Sequence, residues 1–235
     1  MDDARINDAR GFYWCAKEDL KASQLLLEAK QYALSIFHIQ QVCEKLLKCL
    51  GLCSNIYSDS EHCKSEMRHD PVRFQRTYIT KSFEKILPPD LAKELGRRVN
   101  ETYKGGLEGT KSSSLRISQD KISEMMGQIR EMDEFHTETL NRIPQMEGKD
   151  DEEKLMLENY LRFNFICISL TMIASMTKFH EETSRYPNNS LNPWDYDKDL
   201  GIVHALPELI QRLSQIIAFM RESCHFLNGP ELDSS

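Results

Sequence analysis

The segment "YALSIFHIQQVCEKLLKCLGL", residues Tyr32 to Leu52, carries the clearest structural pattern in the chain. Its apolar residues recur every three or four positions, which places their side chains on one face of an α-helix. Gly51 near the end of the pattern is expected to end the helix as a cap residue. We therefore predict a helix with one face in the protein core. The residues on that face are Ile36, Ile39, Cys43, Leu46, Leu47 and Leu50.

A second, polar face runs along the same predicted helix. Gln41, Glu44, Lys45 and Lys48 recur with the same spacing. Glu44 precedes Lys48 by one helical turn, an order that contributes about 0.3 kcal/mol on an exposed helix. Two interpretations stay open. The face is either an ordinary solvated side of a bundle helix, or a surface beside a cleft or a neighbouring subunit.

Composition restricts the class of protein. The chain has 235 residues, with Gly (10) and Pro (8) sparse and a net charge of −7. This acidic balance argues against a generic nucleic-acid binder but is compatible with a local basic patch. The odd number of cysteines, 7, is typical of reduced thiols in a cytoplasmic protein. The apolar run from Phe165 to Met176 is too short to cross a bilayer, and we expect no membrane contact.

Further segments show helical spacing or helix-boundary signals. Asp70 and Pro71 suit the start of a helix, as does Ser118. We find no alternating strand pattern and no internal repeat, so the predicted fold is all-α, an up-and-down helical bundle. Besides the helix quoted above, helices are predicted over about 8–30, 70–86, 88–106, 119–143, 151–182 and 200–226.

Four segments, taken in order, resemble one known family. They are "AKEDLKASQLLLEAKQYALSIF" in the first helix, "IQQVCEKLLKCLGL" in the second, "RHDP" after the second helix, and "SRYPN" before the last helix. Their order is similar to that of the HEPN family, the nucleotide-binding helical domains of higher eukaryotes and prokaryotes. The resemblance covers about residues 8–86 and 151–222. It implies a single HEPN-type helical domain over residues 1–235, with a helical insertion at 87–150.

The family includes both ribonucleases and noncatalytic members. The ribonucleases dimerise and carry an Arg-x(4 to 6)-His motif at the start of the last helix. Arg185 occupies that place here, but no His occurs in the next seven residues. Arg130 and His136 have the required spacing, yet six residues of one helix place them about 120° apart, so we expect two exposed polar residues. The remaining catalytic candidates are Arg185 with His69, or Arg130 with His136.

The resemblance implies a noncatalytic nucleotide- or RNA-binding and protein-interaction module. The alternative is a divergent endoribonuclease that needs no metal, as in toxins of the family. Lysine is a point charge for phosphate, arginine binds it in a bidentate way, and tyrosine stacks on a base. A structural role of the Arg185-Tyr186 turn at the helix entry stays open. The candidate ligand-binding residues are Lys45, Lys48, Arg68, His69, Arg185 and Tyr186.

A metal site is the remaining chemical alternative. Thiols and imidazoles crowd into one segment, but their spacing departs from that of zinc knuckles. We expect no metal and no cofactor. The resemblance further implies a homodimer, a nucleotidyltransferase protein as a partner, or a toxin–antitoxin or defence system. The residues of the crowded segment are Cys49, Cys53, His62, Cys63 and His69.

Overall fold

Every regular element of the described chain is helical, which confirms the predicted all-α bundle. The helices are α1 (Asp3–Glu28), α2 (Tyr32–Cys53), α3 (Pro71–Ile86), α4 (Gln119–Arg142), α5 (Asp151–Lys178) and α6 (Gly201–Ser223). Short 3-10 helices span Ile143–Gln145, Pro193–Asp195 and His225–Asn228. The structure is a computed structural model, and it describes residues 3–59, 61, 63, 71–86, 89, 90, 93, 97, 119–148, 150–178, 180, 193–197 and 200–228.

Helix α2 lies at the centre of the bundle. It forms a hairpin with α1 and also packs against α3, α5 and α6. The turn of the hairpin places Lys30 at a positive φ of 59°. From Ile36 to Leu52 nearly every residue of α2 is buried, including its polar residues Gln40, Glu44 and Lys48. The predicted core face is therefore confirmed, but the burial extends around the whole helix.

The predicted helices match the observed ones closely wherever the chain is described. The first helix starts at Asp3 instead of near Asp8, and α6 ends at Ser223, where the 3-10 helix His225–Asn228 takes over. Asp70, Ser118 and most of the predicted helix at 88–106 lie outside the described residues. The proposed division into a domain with an insertion at 87–150 stays a prediction.

Gly51 does not end α2, so the prediction for this residue is wrong. The helix continues to Cys53, and the Ser54 hydroxyl donates to the Leu50 carbonyl at 2.6 Å. A Cβ on Gly51 would lie 2.5 Å from the ring of Tyr57 and 3.2 Å from that of Phe74. The glycine is there because the buried Tyr57 ring packs directly against the helix backbone.

Helix α5 meets the length and composition criteria for a membrane span. The expectation that this stretch is too short holds for the run Phe165–Met176 alone, because the whole helix has 28 residues and contains a longer apolar window. Half of the apolar window, 50%, is buried inside the bundle. Core helices commonly meet the same criteria, so the finding is weak evidence for a membrane.

The end of α5 is followed by a buried histidine. His180 is 2% exposed, and its Nδ1 lies 2.8 Å from the Tyr196 hydroxyl, within hydrogen-bond distance. Burial disfavours the charged imidazolium and lowers the pKa of His180 from 6.5 to about 4. The neutral form therefore helps to connect the end of α5 to the segment after Pro193–Asp195.

The close contact at Gly51 predicts that Gly51→Ala destabilises the protein. The added methyl group overlaps the Tyr57 ring, and overpacking of this kind costs about 1–3 kcal/mol, against a gain in helix propensity of about 1 kcal/mol. Gly127→Ala is the matched control, because a Cβ there meets nothing within 4 Å. Chemical denaturation should show a lower midpoint for Gly51→Ala and a higher one for Gly127→Ala. Equal stabilisation by both would contradict the packing role.

His180 predicts a loss of stability in acid. Because its folded-state pKa lies below the unfolded value of 6.5, the unfolded chain takes up the proton first. The stability is complete above pH 6.5 and falls until about pH 4, by roughly 3 kcal/mol in total. His180→Gln should flatten the pH dependence of the unfolding free energy between these values. His204→Gln, at an exposed site on α6, should leave it unchanged.

Candidate functional site

Helices α4, α5 and α6 line an open cleft of about 320 Å³, which we call the α4–α5–α6 cleft. Apolar side chains form much of its wall, among them Phe165 on α5 and Phe219 on α6. The polar side chains in it include His136, Arg162 and Arg212, one from each helix. The cleft therefore combines aromatic rings with nitrogen-bearing groups.

Arg212 is fixed in position by a carboxylate. Its two terminal nitrogens donate to the two carboxylate oxygens of Asp133 on α4, a bidentate pair. The guanidinium lies over the ring of Phe165 at 5.3 Å. Its Nε is shielded from solvent and has no hydrogen-bond partner among the described residues. Arg212 thus keeps an unused donor while its side chain is held on two sides.

Arg162 is held in a similar way. It donates to Glu158, one turn earlier on α5, and its guanidinium lies over the ring of Phe219 at 4.9 Å. A guanidinium carries five N–H donors, so this contact leaves most of them available. Stacking on an aromatic ring and a carboxylate partner together restrict its rotamers.

His136 completes the cleft. Its ring stacks on Phe165, with the centroids 4.1 Å apart and the planes at 7°. Burial lowers the pKa of His136 below its usual range, and the positive charge of Arg162 lowers it further. The imidazole is therefore neutral near pH 7. Its Nε2 is shielded and has no hydrogen-bond partner among the described residues.

The arrangement suits a planar ligand with an anionic group. Arginine and a stacked aromatic pair provide flat surfaces for a ring, while guanidinium donors bind phosphate or carboxylate oxygens. A shielded polar atom without a partner costs stability until something pairs with it. Arg212 Nε and His136 Nε2 are two such atoms, but they have almost no accessible area and so lie behind the wall of the cleft.

The polar face of α2 lies elsewhere, against α1. Glu44 and Lys48 are each 9% exposed and form an ion pair with each other. The Lys48 ammonium also lies over the ring of Phe12 on α1, at 5.6 Å from its centroid. The interpretation of this face as a solvated one is therefore wrong for these two residues, because α1 covers them.

Lys45 belongs to a polar cluster between α1 and α2. Its ammonium donates to the carboxylate of Asp19, and the other oxygen of Asp19 lies 2.9 Å from His38 Nδ1. Neither Asp19 nor His38 was singled out from the sequence. They lie on two different helices, and only the hairpin brings them together, so no spacing rule could have found them.

The two residues of the candidate pair Arg130 and His136 have different surroundings. Arg130 Nη1 donates to Glu208 on α6 at 2.7 Å and is exposed. His136 lies half-buried in the α4–α5–α6 cleft, so the expectation that both are exposed is wrong for His136. Stacking on Phe165 is the reason. The remaining candidates, Arg68, His69, Arg185 and Tyr186, lie outside the described residues.

The cysteines are all free thiols. The sulfur atoms of Cys49 and Cys53 lie 3.7 Å apart at the end of α2, and the Cys63 thiol donates to the Lys48 carbonyl at 3.8 Å. Within the described part of the chain, no group of three or more His, Cys, Asp or Glu residues is arranged to hold a metal ion. His62 and His69 lie outside that part.

Sequence reasoning found only one member of the cleft, His136. It missed Asp133, Arg162, Phe165 and Arg212. The short spacing between Arg162 and Phe165, and between Asp133 and His136, puts each pair on one helix face, which is the only signal the sequence offers. Nothing in it indicates that α4, α5 and α6 turn these faces towards each other.

Comparison with known proteins found one similarity. Neither the curated proteins nor the solved structures gave a match. The family model of the HEPN domain matches residues 11–105, a segment that contains most of α1 and all of α2 and α3. The resemblance drawn from the sequence is thereby confirmed over residues 11–86, where the two overlap. This part of the chain is similar to the HEPN domain, an all-α fold related in general to nucleotide and RNA functions.

Proposed function

We propose that this protein is a noncatalytic HEPN-like module that binds a nucleotide or RNA and a protein partner. The observation that carries the proposal is the pair of positioned arginines, Arg162 and Arg212, which lie on aromatic rings around one cleft. Single-stranded nucleic acids are commonly bound by this combination of stacking and cations. The family match supports a nucleotide- or RNA-related role in general.

The chemistry of the cleft supports binding better than cleavage. Cleavage of RNA without a metal needs one group to remove a proton and another to supply one. Neutral His136 suits only the first role, and Asp133 is paired with Arg212. The arginine that has the family spacing to His136, Arg130, instead pairs with Glu208. Among the described residues of the cleft, no second group is suited to supply the proton.

The lysines of α2 are assigned a structural role in this proposal. Lys45 is neutralised by Asp19, and Lys48 by Glu44. Cations that are already paired at a helix–helix contact are poor partners for a ligand phosphate. We therefore place the ligand in the α4–α5–α6 cleft and treat Lys45 and Lys48 as contacts that hold α1 and α2.

A protein partner follows from the family resemblance. A second copy of the chain, a nucleotidyltransferase or a toxin–antitoxin component would use apolar surface. Phe135 on α4 and Leu155 and Met156 on α5 are exposed large apolar side chains, at 71%, 58% and 61% respectively. Such residues are typical of interaction surfaces when they lie close together. We propose the α4–α5 hairpin as the surface for such a partner.

Arg162→Met should weaken nucleotide or oligonucleotide binding about tenfold, since a charge-assisted hydrogen bond contributes about 1.5 kcal/mol. Arg142→Met is the matched control, because Arg142 pairs with Glu138 in the same one-turn geometry away from the cleft. Isothermal titration calorimetry with short RNA should show a loss for the first variant only.

The same measurement tests the role given to the α2 lysines. Lys48→Met should lower the melting temperature and leave the affinity unchanged. Equal affinities of wild type and Arg162→Met, with a loss in Lys48→Met, would move the ligand from the cleft to α2. The absence of binding to any nucleotide or RNA would leave only a structural interaction bundle.

Incubation of the purified protein with total RNA tests the noncatalytic assignment. We expect intact RNA with and without a chelator, because the cleft holds a base without an acid. Cleavage in the presence of the chelator that His136→Asn or His69→Ala abolishes would identify the protein as the alternative, a metal-independent endoribonuclease. His225→Asn, at an exposed position after α6, serves as the histidine control.

A further inference from the structure

Three thiols form a cluster where α2 and α6 end, and none of them lines the α4–α5–α6 cleft. Cys49 and Cys53 lie one turn apart at the end of α2, with their sulfur atoms 3.7 Å apart. Cys224 directly follows α6, and its thiol is hydrogen-bonded to that of Cys53. Cys53 therefore contacts one sulfur atom of its own helix and one from a distant part of the sequence. We call these three residues the thiol cluster.

The members of the thiol cluster differ in their access to solvent. Cys49 is 0% exposed and Cys224 is 5% exposed, whereas Cys53 is partly exposed. A small reagent in solution therefore meets the Cys53 sulfur first. An accessible thiol beside a second thiol is typical of oxidation sites, because the neighbour captures the first oxidation product. Cys53 has two such neighbours.

Helix geometry favours Cys224 over Cys49 as the partner of Cys53 in a disulfide bond. Such a bond requires the two Cβ atoms to lie about 3.5–4.5 Å apart, but Cβ atoms one turn apart on a regular helix are about 5–6 Å apart. A bond to Cys49 would therefore distort the last turn of α2, where the Ser54 hydroxyl donates to the Leu50 carbonyl. Cys224 lies outside the helical conformation, with φ −119° and ψ 79°, so its backbone can adjust without unwinding a helix.

We propose that Cys53 is an oxidation site, that hydrogen peroxide is its oxidant, and that the product is a reversible disulfide bond to Cys224. The Cys53 thiolate attacks one peroxide oxygen, the O–O bond breaks, and the sulfenic acid forms while the released hydroxide takes up the thiol proton as water. The Cys224 sulfur then attacks the Cys53 sulfur, and the S–O bond breaks as the S–S bond forms. The hydroxyl group leaves with the Cys224 proton as a second water. Two thiols thus give up two electrons to one peroxide, and a dithiol reductant reverses the reaction.

Hydrogen bonds inside the thiol cluster affect the rate of this reaction. The hydrogen bond with Cys224 favours the thiolate of Cys53, but the hydrogen bond with Cys49 and burial outweigh it and raise the pKa of Cys53. The thiolate is the form that attacks peroxide. The oxidation is therefore slow at pH 7 and accelerates as the pH rises.

The bond would join two helices that lie far apart in the sequence. Helix α2 belongs to the segment that the family model matches, and α6 carries Arg212 and Phe219 of the cleft. A disulfide bond restricts the unfolded chain, and it does so most when it closes a long loop. The oxidised protein should therefore melt at least about 5 °C above the reduced one.

Peptide mapping of the full chain tests this inference, which is independent of the proposed function because no ligand is involved. The fully reduced protein is treated with hydrogen peroxide at mildly alkaline pH, its remaining thiols are alkylated, and its peptides are analysed by mass spectrometry without reduction. We expect one cross-linked peptide pair that contains Cys53 and Cys224, with the loss of two hydrogen atoms. Treatment with dithiothreitol should separate the pair and return the melting temperature to that of the reduced protein.

Single substitutions assign the bond to its two sulfur atoms. Cys224→Ala should abolish both the cross-linked pair and the rise in melting temperature on oxidation. Cys49→Ala should retain both, because Cys49 is not part of the bond. Cys15→Ser is the control for an exposed thiol outside the cluster, and it should also retain both. The mapping of the wild-type protein needs no variant, so it stands even where a substitution prevents folding.

Several results would overturn the inference. A bond between Cys49 and Cys53, or a bond between two chains, would show that Cys224 is not the partner. Conversion of Cys53 to the sulfinic acid without any bond would show that no neighbouring thiol captures the sulfenic acid. A bond that lowers the melting temperature would show that the fold does not accommodate it.

Discussion

The ion pair between Glu44 and Lys48 is the constraint around which the bundle is built. Both residues are 9% exposed, on a helix that contacts four others. An exposed pair of this kind is worth only about 0.3 kcal/mol. Removal of one partner from a buried pair generally costs about 3–5 kcal/mol. α1 covers α2 at a position where these two charges lie together and neutralise each other.

Further polar contacts between α1 and α2 explain how the two helices are aligned. Asp19 on α1 accepts from Lys45 and contacts His38, both on α2. Ser23 and Ser35 exchange further hydrogen bonds near the hairpin turn, from each hydroxyl to the other residue's carbonyl at 3.1 and 2.9 Å. Apolar packing alone would tolerate a slide along the helix axis. Directional polar contacts inside the hairpin fix one register, and the apolar residues then fill the space around it.

The sequence predicted which segments are helical because periodicity is a local property. It did not predict what covers a helix face. For Glu44 and Lys48 it left a solvated face and a covered one both open, since a charged stripe looks the same whether water or another helix lies against it. Gly51 read as a helix end, since the contact with Tyr57 that requires a glycine forms only after the chain turns back. The cleft is harder still to predict from the sequence, because its polar groups come from three separate helices, α4, α5 and α6. His136 was noticed for its spacing from Arg130, whereas the arginine that acts on it is Arg162.

The carboxylates beside the two cleft arginines position the guanidinium groups and also cancel their charge. Asp133 and Glu158 neutralise Arg212 and Arg162, so the cleft has little net positive charge to attract a phosphate from a distance. What the carboxylates provide is position: each guanidinium is held between a carboxylate and a ring before any ligand arrives. Less side-chain entropy is then lost on binding. Affinity in such a site comes from short-range, directional hydrogen bonds, which salt screens much less than long-range attraction. The binding we propose should therefore depend on the shape of the phosphate group more than on its charge, in contrast to the basic surfaces that hold nucleic acids by their backbone.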